Sequence, residues 1–256
     1  MRDHAHDETC QFDLRVGIGR DGGTAILARH VAWPWSLPRG FRLAGPQGPL
    51  TVLPQAAGAA LLPGDHWRHR ILQEAGELHL ITAGAGLAHA GGPARVDWQV
   101  TVASGRLAML PDPWVLSPGA QMRQRQEIDL GPEAELALID GFCLRDGPAE
   151  WASETVIRRE GKLLLRDSQR ADPAQLRRIA DLPGAFRAFG QVLLVMDPDR
   201  LHRLGIVAGP IEGSGFWGAI APLRTGAGMI VRLAAVSGGA LASALDQWRI
   251  RLRAGS

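Results

Sequence analysis

A short pattern recurs along this chain at nearly constant spacing. Gly76-Glu77-Leu78-His79-Leu80 is echoed by Gly105-Arg106-Leu107-Ala108-Met109, by Ala134-Glu135-Leu136-Ala137-Leu138 and by Gly161-Lys162-Leu163-Leu164-Leu165. Leu78, Leu107 and Leu136 are 29 residues apart each time, and Leu163 follows after 27. An apolar stretch precedes each copy: Ile71-Leu72, Val100 to Val102, Ile128 to Leu130, and Val156-Ile157. Each unit therefore reads as a hairpin-like strand, turn and strand. Units of this length bury their apolar face only by stacking on one another. The predicted fold is mostly β within an α+β class, as a layered, helically wound or sandwich-like architecture.

The segments outside the repeat complete this outline. Residues 1–11 read as a flexible polar tail, and residues 12–256 read as one domain without a dividing linker. Asp172 is a good N-cap with Pro173 at the first helical position, which predicts a helix stopped by Pro183-Gly184. A second helix follows Ser237, because Leu241, Leu245, Trp248 and Leu252 fall on one helical face. The stretch Asp197-Pro198-Asp199-Arg200-Leu201 opens a third, shorter helix. Val192 to Val195 and Met229 to Leu233 read as buried strands.

Composition excludes several function classes. The 28 basic and 26 acidic residues nearly cancel, so no nucleic-acid partner is expected. Two cysteines, Cys10 and Cys143, cannot make a disulfide framework or a four-cysteine zinc site. No apolar run reaches the ~18 residues a membrane helix needs. The N-terminus has no secretory h-region, and a cytoplasmic address is expected.

The motif search is mostly negative. Gly17-Ile18-Gly19-Arg20-Asp21-Gly22 and Gly213-Ser214-Gly215-Phe216-Trp217-Gly218 match the dinucleotide pattern, but neither lies between a strand and a helix, so both read as turns. No Gly-x-Ser-x-Gly elbow is present. Cys143 sits in an apolar context and reads as a buried small side chain. His66 and His69 would point to opposite faces of a strand and read as surface groups rather than a chelating pair. His4-Ala5-His6-Asp7-Glu8 reads as polar tail or as a loose divalent-ion site. Asp140 interrupts the apolar run from Leu136 to Phe142, so its carboxylate must be paired, hydrated or bound to a cation. Asp112 stands between Pro111 and Pro113, where an ion pair with one of 27 arginines competes with a role in a water-lined interior. A carboxylate-pair glycosidase would need two carboxylates across one cleft, and no pair in the sequence argues for it.

The stretch from Leu107 to Ala120, Leu-Ala-Met-Leu-Pro-Asp-Pro-Trp-Val-Leu-Ser-Pro-Gly-Ala, resembles a signature of the UreD urease accessory family. Weaker resemblances follow in the family's order: Gly48-Pro49-Leu50, Ala60 to Asp65, Leu80 to Ala85, Leu144 to Glu150, and the closing Trp248-Arg249-Ile250-Arg251. The resemblance implies a non-enzymatic scaffold or metallochaperone for nickel insertion. It would bind the urease apoprotein subunits and UreF, and through UreF the GTPase UreG. Nickel would pass transiently through a wet interior, with no tightly bound cofactor. The implied nickel path comprises Asp65, His66, Asp112, Asp140 and Glu150. Asp65 and Glu150 occupy family motif positions, and the other three are added on chemical grounds. Pinning of turns by Asp65 and Glu150 is the competing reading. A divergent UreD-like binding protein without urease coupling is the alternative function.

Overall fold

The structure is a computed structural model that describes residues 10–46 and 48–254. β1 (Phe12–Ile18) and β2 (Thr24–Val31) form an antiparallel pair whose turn is the first glycine motif. The chain then makes β3 (Trp35–Ser36), β4 (Leu50–Val52), β5 (Gln55–Ala56), a 3-10 turn and β6 (Ala60–Leu61). Winding follows, through β7 (His66–Gln73), β8 (Glu77–Ile81), β9 (Leu87–Ala88), β10 (Pro93–Val102), β11 (Arg106–Leu110), β12 (Trp114–Leu116), β13 (Gln121–Leu130) and β14 (Glu135–Leu144). β15 (Glu150–Arg159) and β16 (Lys162–Ala171) end the repeat. The remainder is α1 (Pro173–Ala180), β17 (Ala188–Val195), α2 (Pro198–Arg203), β18 (Gly209–Gly213), β19 (Phe216–Pro222), β20 (Gly228–Ala235) and α3 (Gly238–Ala254).

The repeat is a coil of stacked turns, not a row of hairpins. β7, β10, β13 and β15 lie side by side and parallel in one sheet, whereas β8, β11 and β14 lie parallel in another. The two strands of each of the first three echoes therefore belong to different sheets. The echoed leucines are register partners: Leu78 and Leu136 flank Leu107. On the facing sheet Ile71, Val100, Ile128 and Ile157 stand in one row. Both sets are buried in one apolar core between the sheets. A 29-residue period is thus one revolution of the coil.

The fourth echo is the exception. β15 and β16 pair antiparallel, and Leu163 is 54% exposed instead of joining the core. The cause is local. Glu160 and Gly161 have φ of 49° and 77°. Two consecutive left-handed residues make the tight reversal whose twist suits a hairpin.

At the first two corners, glycine is required by close approach. Gly105 has φ of 83°, and a Cβ there would lie 2.0 Å from the Gly76 carbonyl oxygen. That oxygen already accepts the Arg106 N–H at 2.9 Å and the Gln73 side-chain amide at 2.8 Å. Gly105→Ala is expected to destabilise the fold by about 2 kcal/mol or more, since it adds both backbone strain and overlap. Urea denaturation measures this directly, and a loss below about 0.5 kcal/mol, the ordinary range for a neutral surface change, would refute the corner argument.

The second sheet is covered on both faces, so its strands read as nearly continuous apolar runs. Its far face carries Ala108, Leu110, Ala137 and Ile139 against Leu241, Leu245, Trp248 and Leu252 of α3. The predicted helices are present. Asp172 caps α1, with Gln175 completing a capping box, and the Ser237 hydroxyl accepts the Ala240 N–H at the start of α3. α2 is the third, shorter helix, and the second glycine motif turns the antiparallel pair β18–β19. Cys10 and Gln11, expected in the tail, are part of the fold. Cys10 is buried, and the Gln11 N–H donates to the Arg68 carbonyl at 3.0 Å. His4, His6, Asp7 and Glu8 lie outside the described residues. No helix among the described residues is long and apolar enough to cross a membrane.

Candidate functional site

A cavity of about 380 Å³ opens between the two sheets beside the apolar core. Its mouth arises from how the coils differ. In the first two coils the second-sheet strand is interrupted, at residues 82–86 and 111–113, whereas β14 runs unbroken through the corresponding position. Pro111 and Pro113 lack the N–H a ladder needs, so the signature stretch breaks the wall there. β3 and β5, two residues each, pair over the gap as a small strap. Trp35 and Gln55 of that strap line the cavity.

Aromatic groups make the near wall. The His69 imidazole packs against Trp98 at 4.2 Å between ring centroids and edge-on against Trp35 at 4.7 Å. Trp67 contacts both Trp35, at 5.0 Å, and Trp114, at 6.1 Å. His69 is 2% exposed, and neither ring nitrogen has a hydrogen-bond partner. Burial holds its pKa down to about 3, against a weaker upward pull from Asp97. The imidazole is therefore neutral at physiological pH.

Polar groups make the far wall. Asp140, on β14, is 6% exposed. One of its oxygens accepts the Gly141 N–H at 2.8 Å, and the other accepts the Ser153 hydroxyl at 3.1 Å. Burial pushes the Asp140 carboxyl above its usual range, while the nearby Gln124 amide and the hydrogen bonds from Ser153 and Gly141 oppose that shift. Gln126 accepts the Thr155 hydroxyl at 2.9 Å. Beyond Asp140 lies its register partner Gln191, whose side-chain oxygen accepts from Arg232 at 2.6 Å. Arg232 is ion-paired to Asp167 on β16, and its side chain is 42% exposed. A line of polar side chains therefore runs from the cavity to the open edge of the sandwich.

The five expected path residues are not one cluster. Asp112 and Asp140 line the cavity. Asp112 is also a structural pin: it accepts from Arg249 at 3.0 Å and from the Thr82 hydroxyl at 2.9 Å. Asp65, His66 and Glu150 do not line the cavity. Asp65 closes a turn by accepting the Leu62 N–H at 2.8 Å, which is the competing reading given above. His66 is bonded to Asp97 at 2.8 Å, and Glu150 lies 3.6 Å from Arg170. Both stand on the outer face of the first sheet, where alternation along β7 and β15 puts them. His69, expected at the surface, is instead buried. Gln124, Gln126, Ser153 and Gln191 were missed. Their signal was polarity at inward positions of otherwise apolar alternation, as in Met122, Gln124, Gln126, Ile128 and Leu130. Among the described residues, no group of three or more His, Cys, Asp or Glu side chains is placed to hold a metal ion.

Comparison with known proteins agrees with the signature stretch. Residues 11–256 match the family described as UreD urease accessory protein. The chain is 30% identical to urease accessory protein UreD 1 of Methylorubrum extorquens over 244 residues, covering 90% of this chain and 83% of that protein. It is likewise 30% identical to UreD 3 of Bradyrhizobium sp. strain ORS 278, covering 91% and 87%. UreD of Mycolicibacterium smegmatis is 30% identical at the same coverage of 91% and 87%. The homologues are accessory proteins and not ureases. Both the signature and the full-length match lead to one assignment: the chain belongs to the UreD family of urease accessory proteins.

Proposed function

We propose that this protein is a non-catalytic cytoplasmic scaffold for urease maturation. It passes nickel ions through its interior to the urease apoprotein, with a UreF-type partner docked on it and a UreG-type GTPase recruited through UreF. The observation that carries this reading is the polar line from the cavity through Asp140 and Gln191 to Arg232 and Asp167. Polar groups inside a β-sandwich are costly to bury unless they are hydrogen-bonded, and a line of them beside a cavity offers oxygen atoms to water or a passing ion. Oxygen donors that are spread along a path, and already engaged with neighbours, bind a cation weakly enough to release it. Of the expected path residues, Asp140 is the one whose position best fits this role, and Asp112 contributes to the mouth. Asp65, His66 and Glu150 are better placed to hold the outer face and its turns.

The test uses the tagged chain co-expressed with its cognate urease subunits and UreF-type protein. Stoichiometric co-purification is expected. With Asp140→Asn the complex is expected to persist while the nickel content of the urease falls several-fold. Failure of the soluble, folded chain to recover either partner would overturn the reading and favour a binding protein uncoupled from urease.

A further inference from the structure

We propose that His69 is an imidazole station for the transported cation, donating one ring nitrogen to a hydrated late first-row divalent ion inside the cavity and thereby discriminating Ni²⁺ from Mg²⁺. This inference rests on the reading of the cavity as an ion path. A buried imidazole ordinarily satisfies both ring nitrogens, yet here neither has a partner. The ring forms part of the cavity wall, and it is kept neutral, the form in which imidazole binds metals. Its ring neighbours are the indoles of Trp35 and Trp98, which do not compete as ligands, and the amides of Gln124 and Gln126 stand farther along the same sheet.

The dimensions suit a partly hydrated ion. Six waters at about 30 Å³ each occupy about 180 Å³, so the cavity of about 380 Å³ holds a cation with most of its shell. One protein bond to such an ion gives weak, reversible capture. Imidazole suits nickel, whereas Mg²⁺ prefers oxygen and gives up its water reluctantly. His69 therefore adds a choice of metal that the oxygen donors farther along do not make. Both ring nitrogens are covered by the side chains packed on them, so an ion in the cavity reaches them only when that packing opens. Access requires displacement of Trp35, which sits on a strap held by two residue pairs.

The surrounding indoles report on the site. Trp98 and Trp35 lie 4.2 and 4.7 Å from the imidazole, so a paramagnetic ion bound there quenches them by contact. Titration of the isolated full chain with Ni²⁺ is expected to give a saturable loss of tryptophan fluorescence that a large excess of Mg²⁺ does not reproduce. His69→Leu should abolish the saturable component, and His66→Leu, on the outer face of the same strand, should retain it. His69→Gln, which keeps a polar side chain, serves if the leucine variant does not fold by near-ultraviolet circular dichroism. Persistence of the saturable component without His69, or its reproduction by Mg²⁺, would overturn the proposal. The co-expressed complex separates this from the wider reading. If Asp140→Asn starves urease of nickel and His69→Leu alters neither its nickel content nor its exclusion of competing metals, the path stands and the station falls. If neither variant affects metal loading, the path itself falls.

Discussion

Replacing Arg249 with methionine is expected to destabilise the protein by about 3 kcal/mol, the lower end of what breaking a buried ion pair costs. Arg249 reaches from α3 into the break in the second sheet, with 8% of its side chain exposed. It donates to the Leu110 carbonyl at 3.3 Å and the Pro111 carbonyl at 2.5 Å. It also pairs with Asp112 at 3.0 Å and with Asp246 at 2.6 Å. The register between β11 and β14 ends at Met109 and Pro111 has no N–H to give, so the guanidinium supplies donors where the ladder stops. Methionine preserves much of the packing but leaves two carbonyls and a carboxylate without their donor. The Asp112 side chain is 27% exposed, and hydration recovers part of the loss. Asp112→Asn should cost less alone, and the double variant should cost less than the sum, because the residues share one network. Urea denaturation of the four proteins measures this. Additive costs would mean that the two side chains do not act together.

The second large effect is expected from acid. Between pH 7.5 and 5.5 the stability should fall by about 2 to 3 kcal/mol. Burial holds the pKa of His69 at about 3; His79 is held at about 4, chiefly by burial and further by Arg253 and Arg200. Both shifts start from an ordinary value of 6.5. As pH drops below 6.5, the unfolded chain gains two protons that the folded protein excludes. The stability from these neutral rings is complete above that pH and is lost progressively down to the folded values. Each group contributes about 1.4 kcal/mol per pH unit within its window. Asp140 and Glu135 are shifted upward, chiefly by burial, and act in the opposite sense, which offsets part of the loss where their titration overlaps this range. His69→Leu should remove about half of the slope. A flat profile from pH 7.5 to 5.5 would show that the histidines take up protons without unfolding.

Much of the architecture was legible because it repeats. The spacing of Leu78, Leu107 and Leu136 fixed both the coil length and the register, and the caps at Asp172 and Ser237 marked their helices. What the spacing could not distinguish was a hairpin from a corner between sheets, since each is a strand, a turn and a strand. The distinguishing signal was the shorter step to Leu163, where the two-residue turn at Glu160-Gly161 replaces a longer corner.

The site was less legible. Asp140 was found because a carboxylate in an apolar run is anomalous on its own. Asp112 was found from its place between Pro111 and Pro113, but its partner Arg249 is 137 residues away and no local pattern links the two. His69, read as a surface group, stands between Arg68 and Arg70. The two-residue alternation of a strand hides it among them, and only the identity of the facing wall shows that it is interior.

The antiparallel strands at the ends of the first sheet have a consequence for assembly. A stack of parallel turns presents at each end the same ladder that joins one turn to the next. A second molecule could continue it, and such head-to-tail pairing would not close on itself, as in an open filament. Here β2 covers one end and β16 the other, each running against its neighbour. The outermost hydrogen-bonding groups therefore no longer match the interior ladder, and β16 adds Lys162, Arg166, Asp167 and Arg170 along its length. In the first sheet, a 29-residue winding rule that could in principle propagate without limit is thus stopped at both edges.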